Sequence, residues 1–209
     1  MAKDEPTTIY RNARPEDIES LKTIVPRSFF KDLPWMEAMF PDTTDIREWW
    51  GRVYEDLIAS PNSYLPIAVD TASNTVIGAM TVDAVLQGEP AGGVLTRIPA
   101  TQDHGEDWPE VLKTFAGEDR EYVGDRNRFL IDIMGVDTAY QGRGIGQKLV
   151  AMACGFADAK GWPIYLNTGQ AKGFYLKQAL GFQAVASKDD PDDPEAKDGK
   201  LLRETVPKS

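Results

Sequence analysis

The stretch Val136-Asp137-Thr138-Ala139-Tyr140-Gln141-Gly142-Arg143-Gly144-Ile145-Gly146 joins an apolar strand to an amphipathic helix through a glycine-rich turn. Upstream, Arg128 to Val136 is a continuous apolar run broken by one acid, Asp132. Downstream, Ile145, Leu149, Met152, Ala153 and Phe156 recur on one helical face as far as Lys160, and Gly161 suits the position just past a helix end. Three phosphate-binding designs compete for such a turn. A Walker A loop needs Lys and then Ser or Thr after its last glycine, whereas Gly146 is followed by Gln147-Lys148-Leu149. A dinucleotide fingerprint counted from Gly142 puts Gln147 where its third glycine belongs, and this strand comes late in the chain rather than opening a βαβ unit. What remains is Gln141-x-x-Gly144-x-Gly146 opening a helix. Gly142, Gly144 and Gly146 have no side chain to keep a diphosphate off the backbone. The first-turn N–H groups lack intrahelical partners, and the helix dipole favours an anion there. Arg143 adds a positive charge at the rim. An ordinary strand-to-helix turn is the plainer alternative. Three glycines at alternate positions beside Gln141 and Arg143 weigh against it.

Composition narrows the class. The 209 residues are 42% hydrophobic and 27% charged, a balance that excludes collagen-like, fibrous and wholly disordered chains. A chain of this length buries a core without a metal or a disulfide, and the single cysteine, Cys154, has no internal partner. A net charge of −10 argues against a general nucleic-acid binder, which needs a cationic face. It is compatible with cationic or neutral small substrates. No apolar run approaches the roughly 18 residues of a membrane span, and Met1 to Pro6 holds no apolar core of a signal peptide. The expectation is a cytoplasmic protein, with a nuclear one left open, that contacts neither nucleic acid nor membrane.

Outward from the turn, the pattern predicts one domain over 1–209, with no internal repeat and no linker. A strand over Thr7 to Arg11 leads to Pro15 at a first helical position, and Ile18, Leu21, Ile24 and Val25 keep helical spacing until Pro26 stops them. Ile46, Trp49, Trp50, Val53, Tyr54, Leu57 and Ile58 mark the clearest helix, capped by Thr43, Thr44 or Asp45, and its two tryptophans read as core. Tyr64 to Val69 and Val76 to Val82 predict an antiparallel hairpin. Residues 84–127, rich in glycine and proline with one helical patch from Trp108 to Phe115, form a long insertion of the functional or mobile kind. Its His104 has no second His or Cys nearby and reads as a solvated loop residue, so no metal is expected. Strands follow at Ile164 to Leu166, Phe182 to Ala186 and Leu201 to Val206, with a helix from Ala171 to Leu180 and a solvated acidic loop over 188–200.

The stretch from Val136 to Gly146 closely resembles the acetyl-CoA motif of the GNAT superfamily of N-acyltransferases, Gln/Arg-x-x-Gly-x-Gly/Ala. The resemblance runs from about Thr7 to Val185 and takes in Arg11-x-Ala13-x-Pro15-x-Asp17, the hairpin, the motif strand and helix, and Leu180-Gly181-Phe182. It implies an α/β fold of the mixed α+β kind: a largely antiparallel sheet with two splayed central parallel strands, flanked by helices, with pantetheine in the gap. By the same resemblance, backbone groups of Met134, Gly135 and Val136 run beside pantetheine. Gln141, Gly142, Arg143, Gly144, Ile145 and Gly146 hold the diphosphate, and Asn167 bonds the pantetheine amides.

The family's chemistry calls for a base that deprotonates the acceptor and often a Tyr that protonates the leaving thiolate. Asp132, four residues before Val136, is the candidate for the first role. An acid in an apolar strand faces either the cleft or a bonding partner, so catalytic and structural readings both stand. Alternation puts Asp132 and Met134 on one face, with Ile131 and Ile133 on the other. For the second role the family's usual Tyr position holds Lys177, and Tyr175 lies two residues earlier. Cys154 reads as packing, with no His to activate it. The resemblance therefore implies an acetyl-CoA-dependent N-acetyltransferase acting directly on a primary amine of a small molecule, with acetyl-CoA as co-substrate and no metal. Transfer to a protein lysine or N-terminus, and an acyl-CoA-binding module without catalysis, are the alternatives. Residues 84–127 and the segment from Phe29 to Phe40 are expected to shape the acceptor pocket, and a homodimer is left open.

Overall fold

A computed structural model of the chain describes residues 8–29, 37–38, 40–89, 93–94, 120–167, 176, 178–185 and 200–205. The expectations for Phe30, Trp35, Met36, Met39, His104, the patch from Trp108 to Phe115, Tyr175, Lys177 and most of the acidic loop fall outside those residues. The chain packs as two compact units, one of residues 1–81 and 133–150 and the other of residues 82–132 and 151–209.

The first unit opens with β1 (Thr8–Asn12), followed by a 3-10 turn (Pro15–Asp17) and helices α1 (Ile18–Leu21) and α2 (Ile24–Phe29). Asp17 explains the spacing of the opening motif. Its buried carboxylate accepts from Arg11 Nη1 at 2.6 Å and Nη2 at 2.8 Å and from the Arg14 backbone N–H at 2.8 Å. Burial works against its ionised form, and those bonds outweigh burial, so its pKa lies below the usual carboxylate value. Pro26 does not end a helix as the spacing predicts. It sits in the first turn of α2, where its missing N–H costs no intrahelical bond.

Helix α3 (Thr44–Ala59) is the one the spacing predicts, with Thr43 Oγ1 accepting from the Ile46 N–H at 3.4 Å as its cap. Its Trp49, Trp50 and Tyr54 join Phe40 in a buried aromatic cluster with ring centroids 4.6 to 5.6 Å apart. The tryptophans are core, and truncating such a ring to alanine costs about 3–5 kcal/mol. Strands β2 (Ser63–Tyr64), β3 (Pro66–Asp70) and β4 (Thr75–Val85) follow. β3 pairs antiparallel with β1 and with β4, and Asn74 takes a positive φ of 52° in the hairpin turn. β4 reaches Val85, so the insertion begins two residues later than the sequence suggests.

In the second unit, the first part of β5 (Arg128–Val136) pairs in parallel with β6 (Ile164–Asn167), which follows α4 (Ile145–Lys160). β7 (Gln183–Ala184) and β6 both pair antiparallel with β8 (Lys200–Arg203), so Lys200 belongs to a strand rather than to the acidic loop. A buried patch of Val123, Tyr165 and Leu202 anchors this sheet, and Arg203 grips Asp158 bidentately at 2.8 and 3.0 Å. The fold is thus the mixed, mostly antiparallel one with a parallel pair and flanking helices. The parallel register covers Phe129 opposite Ile164 through Ile131 opposite Leu166 and ends there, although β5 continues to Val136.

α4 buries Ile145, Leu149, Val150, Ala153, Cys154 and Ala157. Met152 and Phe156, which spacing places on that face, lie at its margin and are half-buried. Gly78 admits the start of α4, since a Cβ there would stand 3.0 Å from Ile145 Cγ2 and 3.3 Å from Leu149 Cδ1. Burial pushes the Cys154 thiol up to about 11, consistent with an inert packing residue. Among the described residues no helix is long and apolar enough to cross a membrane.

Candidate functional site

The glycine turn lies wholly in the first unit. Gly142 and Gly144 adopt φ of 76° and 75°, the left-handed region that L side chains enter at a cost of roughly 1–2 kcal/mol. Both are exposed, and no described atom lies within 4 Å of where their side chains would be. Their absent side chains therefore serve backbone handedness as well as open space. Gly146 is different. It is helical, and a Cβ there would make ordinary contacts at 3.6 to 3.8 Å with Met134 and Val136. The Lys148 backbone N–H donates to Gly144 O at 3.1 Å, so the N–H groups of Ile145, Gly146 and Gln147 precede the helical ladder and have no carbonyl within it. An open, positively polarised turn of this kind suits a diphosphate.

The chain leading into the turn is pinned at each step. Asp137, just past β5, donates its backbone N–H to Ile77 O at 2.9 Å, accepts from the Ala139 N–H at 2.9 Å, and forms an ion pair with Arg27 of α2. Tyr140 donates its hydroxyl to Asp70 Oδ2 at 2.9 Å. That bond raises the Tyr140 pKa, and Asp70, bonded first to the Ala72 N–H and then to Tyr140, is lowered. Gln141, itself exposed, donates Nε2 to Val136 O at 3.0 Å and to Ser28 O at 3.5 Å. Arg143 donates to Ala139 O at 3.1 Å and stands 5.0 Å from the Tyr140 ring centroid. Gln141 and Arg143 thus brace the turn itself.

On β5, Gly135 marks a close approach. A Cβ there would sit 2.8 Å from Ser28 Oγ, 2.9 Å from Ser28 Cβ and 3.2 Å from Phe29 Cε2. Thr81 Oγ1 accepts from the Ile133 N–H at 3.1 Å and donates to its carbonyl at 3.5 Å, standing in for ladder bonds. Beside them lies a cavity large enough for about one water, lined by Phe29, Tyr54, Leu65, Thr81, Ile133 and Gly135. Burial pushes the Tyr54 hydroxyl above its usual range.

The other sequence candidates lie in the second unit. Asp132, half-buried, accepts the Val94 backbone N–H on Oδ2. The adjoining Gly93 has φ of 41°, and a Cβ there would come within 3.2 Å of the same oxygen. Asn167 is exposed at the end of β6 and accepts from the Tyr165 hydroxyl at 3.1 Å. Tyr175 is outside the described residues. Arg27, Ser28, Thr81 and the bond from Tyr140 to Asp70 escape sequence reasoning, because each joins distant segments. One signal was present: Arg27 is the single charge in the short helix Ile24-Val25-Pro26-Arg27-Ser28-Phe29, and a cation among apolar neighbours calls for a partner.

Residues 111–184 match the family model for an acetyltransferase (GNAT) domain. No curated protein matches the sequence. Among solved structures, a mosquito arylalkylamine N-acetyltransferase like 5b is 18% identical with a TM-score of 0.63, over 95% of this chain and 100% of that one. A GNAT family acetyltransferase from Brucella melitensis, solved with acetyl-CoA, is 15% identical with a TM-score of 0.52, over 98% and 92%. Arabidopsis thaliana NAA60 in complex with a bisubstrate analogue is 17% identical with a TM-score of 0.52, over 94% and 95%.

Proposed function

We propose that the chain is a GNAT acetyltransferase, as the match over residues 111–184 supports, and that it moves acetyl from acetyl-CoA directly to a primary amine of a small molecule, working as a single domain. The observation that carries this reading is the open turn from Gly142 to Gly146, with two left-handed glycines and unpaired first-turn N–H groups. The diphosphate rests there, and the backbone from Met134 to Val136 lines pantetheine. The Brucella protein solved with acetyl-CoA supports the donor. The net charge of −10 supports a cationic acceptor.

In the reaction the amine lone pair attacks the thioester carbonyl, the C–N bond forms, and the C–S bond breaks. A backbone N–H at the end of the strand, from Met134 to Val136, polarises the carbonyl oxygen. The ammonium proton passes to Asp132, directly or through water, and the thiolate takes a proton for which Tyr175 is the candidate donor. Asp132 supports a second reading as well. Its bond to the Val94 N–H favours a carboxylate that anchors the Gly93–Val94 turn.

Transfer to a protein lysine or N-terminus is the alternative acceptor class, and a binding module without catalysis is the alternative outside enzymes. Thiol release from acetyl-CoA against small arylalkylamines, polyamines and peptides with free N-termini or lysines separates the three. Turnover confined to small amines supports the proposal. Turnover confined to peptides replaces the acceptor, and binding without turnover on any amine replaces the enzyme.

A further inference from the structure

The geometry points to Arg27 as a positioning residue that clamps the diphosphate turn from α2, setting affinity for the diphosphate half of the donor rather than the chemistry at the thioester. This inference rests on the acetyl-CoA reading. Arg27 makes four attachments. Its Nη1 pairs with Asp137, its Nη2 donates to Val76 O at 2.9 Å and to Ser20 O at 3.2 Å, and its Nε donates to Thr23 Oγ1 at 3.2 Å. The Asp137 backbone N–H reaches Ile77 O, so guanidinium and amide dock on consecutive carbonyls of β4.

The next residue, Ser28, covers Gly135 and accepts from Gln141 through its carbonyl. Two consecutive residues of α2 therefore hold both ends of the connection from Val136 to Gln141. Asp137 in turn accepts from Ala139, which sets the 3-10 turn 138–140 that aims Gly142 and Gly144. The Asp137 carboxylate is only 13% exposed and Arg27 28%, so solvent screens this pair less than a surface one. Neither side chain is among those proposed to act at the thioester.

The test compares two donors on the full chain. Acetyl-CoA carries the diphosphate, and S-acetylpantetheine has the same thioester without it. Arg27→Ala is expected to weaken acetyl-CoA binding at least fivefold by calorimetry, while kcat/KM with S-acetylpantetheine stays within twofold of wild type. Asp137→Asn, which keeps an acceptor for the Ala139 N–H but loses the charge, is expected to show the same donor-selective loss. The double variant should be no worse than the weaker single one, since the two act as a pair. Arg27→Lys retains the charge and guards against a misfolded alanine variant; it should recover part of the affinity. Equal losses on both donors, or unchanged acetyl-CoA affinity in a folded Arg27→Ala protein, would overturn the clamp alone. Wild-type protein that binds no acetyl-CoA would overturn the acetyltransferase reading and the clamp with it.

Discussion

Replacing Asp132 with asparagine and, separately, with alanine sets its two roles against each other. The carboxylate accepts the Val94 N–H, a charge-assisted bond of the kind that contributes about 1.5–3 kcal/mol. Asparagine keeps an oxygen acceptor and a neutral bond of about 0.5–1.5 kcal/mol, so the net loss is roughly 1 kcal/mol. For a chain of this size that lowers Tm by about 2–4 °C. Alanine loses the acceptor and leaves the Val94 N–H unpaired, at about 1–3 kcal/mol. Catalysis moves on another scale. An alkylamine with a pKa near 10 is only about one part in a thousand free at pH 7, and a positioned base contributes roughly 10² to 10⁴. Thiol release with the preferred amine, measured from pH 6.5 to 9.5, should therefore show Asp132→Asn at least about 10²-fold down in kcat/KM near neutrality. The deficit should close as pH rises and free amine accumulates. An Asn variant within threefold of wild type at pH 7, beside an Ala variant with a Tm lowered by several degrees, would refute the base and leave Asp132 as the anchor of the Gly93–Val94 turn.

Three further outcomes are expected. Gly144→Ala forces a left-handed φ of 75° on a side chain, so Tm should fall by an amount equivalent to about 1–2 kcal/mol, and acetyl-CoA affinity should fall with it in calorimetry. Gly155→Ala should raise stability by about 0.5–1 kcal/mol, since it lies within α4 with open space where its Cβ would be; urea midpoints check this. Asp17 is held below its unfolded pKa of about 3.9, so its contribution is present above that pH and is lost as pH falls through its folded value. Asp17→Asn should flatten the acid limb of a stability–pH curve measured from pH 2 to 6 and leave the curve above pH 6 lower but parallel.

How far the fold was legible depended on whether a residue's partner was near in sequence. Helix α3 was legible because seven apolar residues repeat at 3.6 spacing and its cap is adjacent. The glycine turn was legible because its chemistry is local to eleven residues. The left-handed φ at Gly142 and Gly144 adds a reason for those glycines that spacing alone does not give. Pro26 misled because proline breaks a helix interior yet suits a first turn, and only the break after Leu21 shows which applies. Ile145, Leu149 and Ala153 of the predicted α4 stripe are buried, and Val150, Cys154 and Ala157 complete it in place of Met152 and Phe156. Arg27 with Asp137, Asp70 with Tyr140, and Val94 with Asp132 were hidden, since each pair joins segments at least 38 residues apart. A sequence displays a charge without its partner.

The most direct measurement is a calorimetric titration of acetyl-CoA into the wild-type chain. An acetyl-CoA-dependent transferase with this turn should bind one equivalent with a Kd on the order of 10 μM, within the usual range for such substrates. Saturable binding at that level, weakened in Gly144→Ala, is the expected result. No heat of binding up to millimolar acetyl-CoA, from protein shown to be folded, would contradict it.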